Sequence, residues 1–179
     1  MSKKILAILA SARKNGNTSA LLDVCLNGAE EAGAEAERIC IGAQQIAGCL
    51  GCEFCHKNHA LCIQKDAMQP LYEKIQEADA IVLASPVYYG GFTAQLKAFI
   101  DRLYCLTEKK AKKCALLLTA GGGAGKNCDS AISSYEIAAH YLNWTDMGYA
   151  LADNVDSPQD VQRNSACKKA RELGVALAK

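Results

Sequence analysis

An excess of charge of either sign is missing from this sequence. Its 20 Lys and Arg residues face 19 Asp and Glu, a formal net charge of +1. That balance offers no field for gripping nucleic acid or an anionic membrane. It also weighs against a dedicated electron shuttle, which docks through a strongly single-signed surface. Long apolar runs are missing as well. The run Ile5 to Ala10, behind Lys3 and Lys4 and ahead of Ser11-Ala12, imitates a secretory signal but is only six residues long, short for that purpose. No other stretch is long enough to span a bilayer. There is no internal repeat, low-complexity tract or linker. GxGxxG is absent, and so is the glycine-rich run ending in Lys that nucleoside triphosphates require. What remains is one cytoplasmic domain spanning residues 1–179, half of it apolar, able to bury roughly 70% of the surface its unfolded chain exposes.

Cysteine, by contrast, is abundant, with ten residues. Six of them (Cys25, Cys40, Cys105, Cys114, Cys128 and Cys167) are scattered through expected helices and strands and read as small apolar core residues. The other four lie within fourteen residues, at Cys49, Cys52, Cys55 and Cys62. A chain this large and apolar does not depend on disulfides to fold.

Strand and helix patterns alternate throughout, which is the signature of a parallel sheet covered on both faces. Continuous apolar runs mark buried strands at Ile5–Ala10, Ala80–Ala84 and Cys114–Thr119. Weaker strand patterns fall at Glu37–Ile41 and Gly148–Ala152. After Gly91, the residues Phe92, Leu96, Phe99, Ile100 and Leu103 form one helical stripe. Gly33 is placed to close the first helix. A last helix is announced by Ser157-Pro158-Gln159-Asp160 and carries Ala166, Ala170, Leu173 and Leu177 on its apolar face. Five strands and five helices are expected, with one long irregular segment, about residues 42–65, that contains the clustered cysteines. Irregular segments of that length in a tight domain are usually functional.

Open parallel sheets bind ligands beyond the carboxyl ends of their strands, where the strand order reverses. The loops after strands one, three and four are therefore expected to carry the chemistry. The first holds Ser11, Arg13, Asn17, Thr18 and Ser19, where free N–H groups at a helix start favour an anion such as a phosphate monoester. The second is Ser85-Pro86-Val87-Tyr88-Tyr89-Gly90-Gly91, an apolar, flat-faced wall suited to a planar ring. The third runs from Thr119 through Ala120, Gly121, Gly122, Gly123 and Ala124 to Gly125, so its backbone N–H groups stand clear of side chains. Phosphate at one loop and a flat ring between the other two describe flavin mononucleotide, FMN.

These residues resemble a known family, the flavodoxin-like NAD(P)H-dependent FMN reductases, including the iron–sulfur flavoproteins. The likeness covers nearly the whole chain. It rests on Ser11-x-Arg13 with Asn17-Thr18, on Cys49-x-Gly51-Cys52-x-x-Cys55, and on Ser85-Pro86-Val87-Tyr88-Tyr89 followed by Leu96, Phe99, Asp101 and Arg102. The resemblance implies an α/β flavodoxin-like three-layer sandwich with five parallel strands in the order 2-1-3-4-5. It implies that Ser11, Arg13, Asn17, Thr18 and Ser19 hold the FMN phosphate. Pro86, Val87, Tyr88, Tyr89 and Gly90 would then lie along the isoalloxazine, with Thr119, Ala120, Gly121 and Gly122 at the ring and ribityl chain. It further implies a homodimer or homotetramer with FMN near the subunit interface, which would account for Tyr88 and Tyr89 as exposed aromatics. Hydride from a nicotinamide nucleotide would enter the flavin, and an electron acceptor would remove the electrons. Because the flavin carries the chemistry, no nucleophile or acid–base dyad is expected from the protein, and His140 reads as a packed histidine.

The run Cys49-x2-Cys52-x2-Cys55-x6-Cys62 has three thiols at the spacing that wraps corners of a 4Fe-4S cluster. The resemblance to iron–sulfur flavoproteins supports that reading. The residues also admit free or redox-switching thiols, zinc with His56 or His59 helping, and a Cys52–Cys55 disulfide. Alternatives to the enzyme are a non-enzymatic flavodoxin-type electron carrier and a thiol- or metal-sensing phosphate-binding domain.

Overall fold

The computed structural model describes residues 2–59, 61–106, 110–123 and 125–179. Its strands are Lys4–Leu9 (β1), Glu35–Cys40 (β2), Ala80–Pro86 (β3), Lys112–Thr119 (β4) and Trp144–Ala152 (β5). They pair in parallel as one sheet in the order β2-β1-β3-β4-β5. The three continuous apolar runs became the three central strands, because only a strand covered on both faces needs to be apolar on both. β2 lies at the edge and is buried only in alternation, with Glu35 and Glu37 outward, a pattern that discourages pairing with another chain.

The α-helices among the described residues are Asn17–Glu31 (α1), Phe54–Lys57 (α2), Gln69–Glu77 (α3), Ala94–Arg102 (α4), Asp129–Tyr141 (α5) and Ala166–Leu177 (α6). The sheet divides the core in two. On one face Ile5, Ala7, Leu9, Val82 and Leu117 pack under α1 and α6. On the other, Ile8, Ile81, Leu83, Leu116 and Leu118 pack under α3, α4 and α5. This is the flavodoxin-like three-layer sandwich. Helices α1 and α6 approach closely because a Cβ at Gly174 would overlap the Cys25 carbonyl, and one at Gly28 would meet the Arg171 carbonyl at 2.6 Å.

Gly33 closes α1 as expected. At φ +92° it lets the Gly33 and Ala34 amides donate to the Glu30 and Ala29 carbonyls at 2.9 and 3.0 Å, a Schellman closure. Five expectations need correction. Six α-helices form among the described residues rather than five, the extra one being the single turn α2 inside the cysteine segment, and Cys40, expected in the core, is exposed. The last helix does not start at Pro158: Gln159 sits at φ +78°, a 3-10 turn covers Asp160–Arg163, and α6 begins at Ala166. The Asp160 carboxylate does accept from the Ser157 amide at 2.7 Å, so the local signal was real. The segment is held instead by Asn17, whose side-chain amide donates to the Val155 and Ser157 carbonyls at 3.0 and 2.9 Å. β5 begins four residues early, at Trp144, because a bulge at Gly148 (φ +99°) interrupts its pattern. His140 is exposed rather than packed, edge-on to Tyr141 with ring centroids 5.9 Å apart.

Candidate functional site

Three strands end at the same edge of the sheet, and their loops form one cleft of about 200 Å³. The first wall is the turn after β1. Its Ser11 hydroxyl accepts from the Arg13 amide at 3.2 Å, and a reverse turn from Arg13 to Gly16 follows. The chain then enters α1 with Gly16 as N-cap, with no side chain capping the helix and no acidic residue in its first turn. First-turn amides of such a helix have no partner within the helix, and they carry the positive end of its dipole. Arg13, exposed at the rim, adds a full charge.

The opposite wall follows β3. Tyr88 and Gly91 exchange backbone hydrogen bonds at 3.0 Å in both directions. Between them Tyr89 and Gly90 have φ +51° and +78°, as a type I′ hairpin turn requires. The turn leaves Tyr89 fully exposed and Tyr88 half exposed. Behind it, buried Thr93 caps α4 by accepting from the Leu96 amide at 3.2 Å and donates to the Ala10 carbonyl at 3.3 Å. The Thr93 amide in turn donates to the Ser85 hydroxyl at 3.1 Å. Those bonds lock the end of β1 to the end of β3.

The floor is shared. Thr18 and Thr119 join hydroxyl to hydroxyl at 2.6 Å, both buried, linking α1 to the end of β4. Ala120 and Gly121 continue the lining. A Cβ on Gly121 would meet the end of the Asp156 side chain, so the β4 turn lies beside the loop after β5. Gly42 marks a closer approach on the other side, backbone against backbone. A Cβ there would stand 2.5 Å from the Ala12 nitrogen and closer still to the Ser11 carbonyl. The start of the cysteine segment therefore passes directly over the β1 turn.

Of the residues expected at the site, Ser11, Arg13, Asn17, Thr18, Pro86, Val87, Tyr88, Thr119, Ala120 and Gly121 border the cleft. Four do not. Ser19 is buried and accepts a hydrogen bond from Arg38 at 3.2 Å. Gly90 offers its carbonyl to Ser130 at 2.6 Å. Tyr89 points to solvent, and Gly122 is exposed beyond the rim. Asn17 borders the cleft, but its side chain is committed to Val155, Ser157 and the Val161 amide. Ala124 lies outside the described residues. Sequence reasoning missed Val155 and Asp156, which also border the cleft. They follow a strand end, so the rule that selected the other loops would have reached them.

The cysteine segment lies beside α4. Cys49 and Cys52 are exposed, Cys55 is buried and Cys62 is half-buried. All four border one narrow cavity of about 20 Å³, together with Cys105 and Arg102; Ala60, within this segment, is outside the described residues. The backbone winds tightly at Gly51 and Glu53, both at φ +61°. As placed, no three His, Cys, Asp or Glu side chains among the described residues are grouped to grip a metal ion. Burial raises the Cys55 and Cys105 thiols above their ordinary range. The segment's neck is closed by Arg102, which is 1% exposed. Arg102 donates to Asp66 at 2.6 and 3.2 Å and to the Ala47 carbonyl at 2.9 Å. Burial alone would raise the Asp66 carboxyl, but bonds from Arg102 and from the Ala47 and Met68 amides outweigh it and hold the group below its ordinary value.

Comparison with known proteins agrees with this architecture. Residues 3–154 match the family described as NADPH-dependent FMN reductase. An iron-sulfur flavoprotein of Archaeoglobus fulgidus is 36% identical over 184 residues, spanning 98% of this chain and 79% of that one. The structure of an NAD(P)H:quinone oxidoreductase from Methanothermobacter marburgensis superposes with a TM-score of 0.77 at 16% identity, covering 100% of this chain and 98% of that one. Two-electron reduced Megasphaera elsdenii flavodoxin superposes with a TM-score of 0.61 at 17% identity, covering 96% and 98%. No helix among the described residues is long and apolar enough to cross a membrane.

Proposed function

The chain belongs to the NADPH-dependent FMN reductase family and is an oxidoreductase, and on that premise we propose that its cleft holds FMN and that its four clustered cysteines hold a 4Fe-4S cluster. The observation that carries the flavin reading is the meeting of an uncapped helix start, an aromatic hairpin and a glycine turn at one cleft. The uncapped α1 amides, Ser11 and Arg13 take the phosphate. The dipole contributes roughly 0.3–1 kcal/mol, and a charge-assisted bond from Arg13 about 1.5–3 kcal/mol. Pro86, Val87 and Tyr88 give the flat wall, while Ala120 and Gly121 offer backbone groups without side-chain interference. Whole-ligand pockets enclose about 300–1,000 Å³, so the cleft of about 200 Å³ would enclose part of such a ligand, with Pro86, Val87 and Tyr88 as the wall for its ring.

When bound, the flavin supplies a ring that accepts hydride from NAD(P)H, and the cluster supplies one-electron transfer toward a small-molecule or protein acceptor. The chain's own residues bind and orient; none acts as a nucleophile. The cysteines fit iron by donor chemistry: four thiols bordering one cavity, three of them at two-residue spacing. The cavity of about 20 Å³ admits about one water, so the four thiols are not arranged in advance around a group as large as a cluster. The name of the Archaeoglobus relative supports the same reading. The exposed Tyr88 and Tyr89 support a homodimer or homotetramer with these rings at the interface, and the working compartment is cytoplasmic.

The test is anaerobic purification followed by NADH and NADPH oxidation assays, with iron and sulfide analysis of the same sample. Flavin, nicotinamide oxidation and about four irons per chain are expected. Flavin without iron would leave an FMN reductase with free thiols, and a protein that takes up no FMN would sink the reading.

A further inference from the structure

A second cavity, of about 580 Å³, opens between α4, α5 and the cysteine segment, and it shares no lining residue with the cleft described above. That volume lies inside the range of about 300–1,000 Å³ typical of whole-ligand sites. Its floor is apolar. Ile100 of α4, Leu103 just after it, Ala138 of α5 and Leu142 just after that helix provide it. Leu103 and Leu142 are core residues, 1% and 9% exposed, so the floor is anchored in the packed interior.

The sides are aromatic. Tyr104 and Tyr141 border the cavity and are 50% and 69% exposed. Tyr104 is held from two directions. Its hydroxyl donates to the Glu53 carboxylate at 3.0 Å, and the His56 ring lies against it, with centroids 4.3 Å apart and planes tilted by 32°. His56 in turn donates from Nε2 to the Tyr104 carbonyl at 2.8 Å. These contacts fix the Tyr104 ring before any ligand arrives, which lowers the ordering cost of binding.

The formal charge at the cavity has one sign. Glu53 and Asp101 border it, and no Lys or Arg does among the described residues. Asp101 is paired with Lys97 at 2.6 Å, one turn back on α4. Glu53 has no ion-pair partner among the described residues. The whole chain carries a formal charge of +1, so the negative character belongs to this cavity and not to the protein at large. Tyrosine faces attract cations in their own right. A carboxylate beside two such rings, over an apolar floor, suits a cation that carries its own apolar body. It does not suit a phosphate-bearing nucleotide.

We propose that this cavity is a second binding site, for a flat organic cation such as an aromatic quaternary ammonium compound. Glu53 and Tyr104 meet the charge, while Leu103 and Leu142 take the ring. The site needs neither flavin nor iron, so it stands or falls independently of the function proposed above.

The experiment is isothermal titration calorimetry on the full chain with FMN supplied. The probe is 2-naphthyltrimethylammonium, and 2-naphthalenesulfonate is its anionic counterpart on the same ring. Saturable binding of the cation is expected, at least about tenfold tighter than the anion. Glu53→Gln keeps an acceptor for the Tyr104 hydroxyl but removes the charge. It should weaken the cation about fivefold and leave the anion no weaker. Ala138→Trp fills the cavity from α5 and should abolish binding. Urea unfolding midpoints identify folded variants, and Glu53→Gln carries the test by itself if Ala138→Trp does not fold. Cation and anion bound alike, undiminished binding in either folded variant, or no saturable binding would overturn the assignment. Sedimentation in the same solutions separates the competing occupant. A dimer that excludes the probe and admits it on dilution would place a second copy of the chain on this face, and would overturn the proposal as well.

Discussion

Replacing Gly42 by alanine tests whether the approach of two backbones builds the phosphate end of the cleft. The added Cβ would lie 2.5 Å from the Ala12 nitrogen, against 3.4 Å for an ordinary contact, so the crossing segments must separate by about 0.9 Å or more. Both partners are backbone, and no rotamer change relieves the overlap. Overpacking of this kind costs about 1–3 kcal/mol of stability. The displaced atoms are those of the Ser11 turn, and misplacement of a site by about 1 Å can cost on the order of 100-fold. FMN affinity should therefore fall by at least about tenfold, measured by quenching of flavin fluorescence on titration with apoprotein. Gly33→Ala is the control. Its φ is +92° but nothing lies within 4 Å of a Cβ there, so it costs about 1–3 kcal/mol through backbone strain alone and leaves FMN affinity unchanged. Wild-type affinity in Gly42→Ala, or equal weakening in both variants, would refute the reasoning.

Arg13→Ala should weaken FMN by about 10- to 100-fold, the equivalent of a charge-assisted bond, yet leave riboflavin binding unchanged, as parallel titrations with the two flavins would reveal. Thr18→Val strands the buried Thr119 hydroxyl and should cost about 1–3 kcal/mol in urea unfolding, while Thr18→Val/Thr119→Val together cost less than the sum of the single changes. Burial pushes the Cys25 thiol up to about 12 and the Cys114 thiol up to about 11, whereas an unfolded thiol ionises near about 8.5. Between those values the unfolded chain binds fewer protons, so stability is intact below about pH 8.5 and falls above it, by about 1.4 kcal/mol per pH unit for each thiol. Urea unfolding at about pH 8 and about pH 10 under reductant should show that fall, and Cys25→Ala should flatten it.

The fold was legible where one element's own residues decide its place. β1, β3 and β4 are buried on both faces and therefore read as continuous apolar runs; Leu96, Phe99 and Leu103 mark the buried face around α4; Gly33 ends α1 by its own backbone. Legibility failed where a distant residue decides. The start of α6 is moved by Asn17, 140 positions from Ser157, and the local capping signal at Ser157 and Asp160 cannot register that tie. The first half of β5 is hidden by Asp146, whose carboxylate accepts from the Gly148 amide at 2.7 Å and from Tyr135 at 2.6 Å, so a polar residue and a bulge stand where a strand pattern was sought. At the site, the residue types of the three loops gave the chemistry but not the orientation. Nothing local separates Thr18, which borders the cleft, from Ser19, which turns to Arg38. Nor does sequence alone place Arg102 against Asp66, 36 positions away, and so at the cysteine cavity.

The most direct test of the central claim is the absorption spectrum of protein purified and kept without oxygen, recorded before and after adding one equivalent of NAD(P)H. Oxidised-flavin bands that bleach on addition, over a broad iron–sulfur shoulder, are the expected result. A colourless protein that acquires no flavin bands when FMN is supplied would contradict the account.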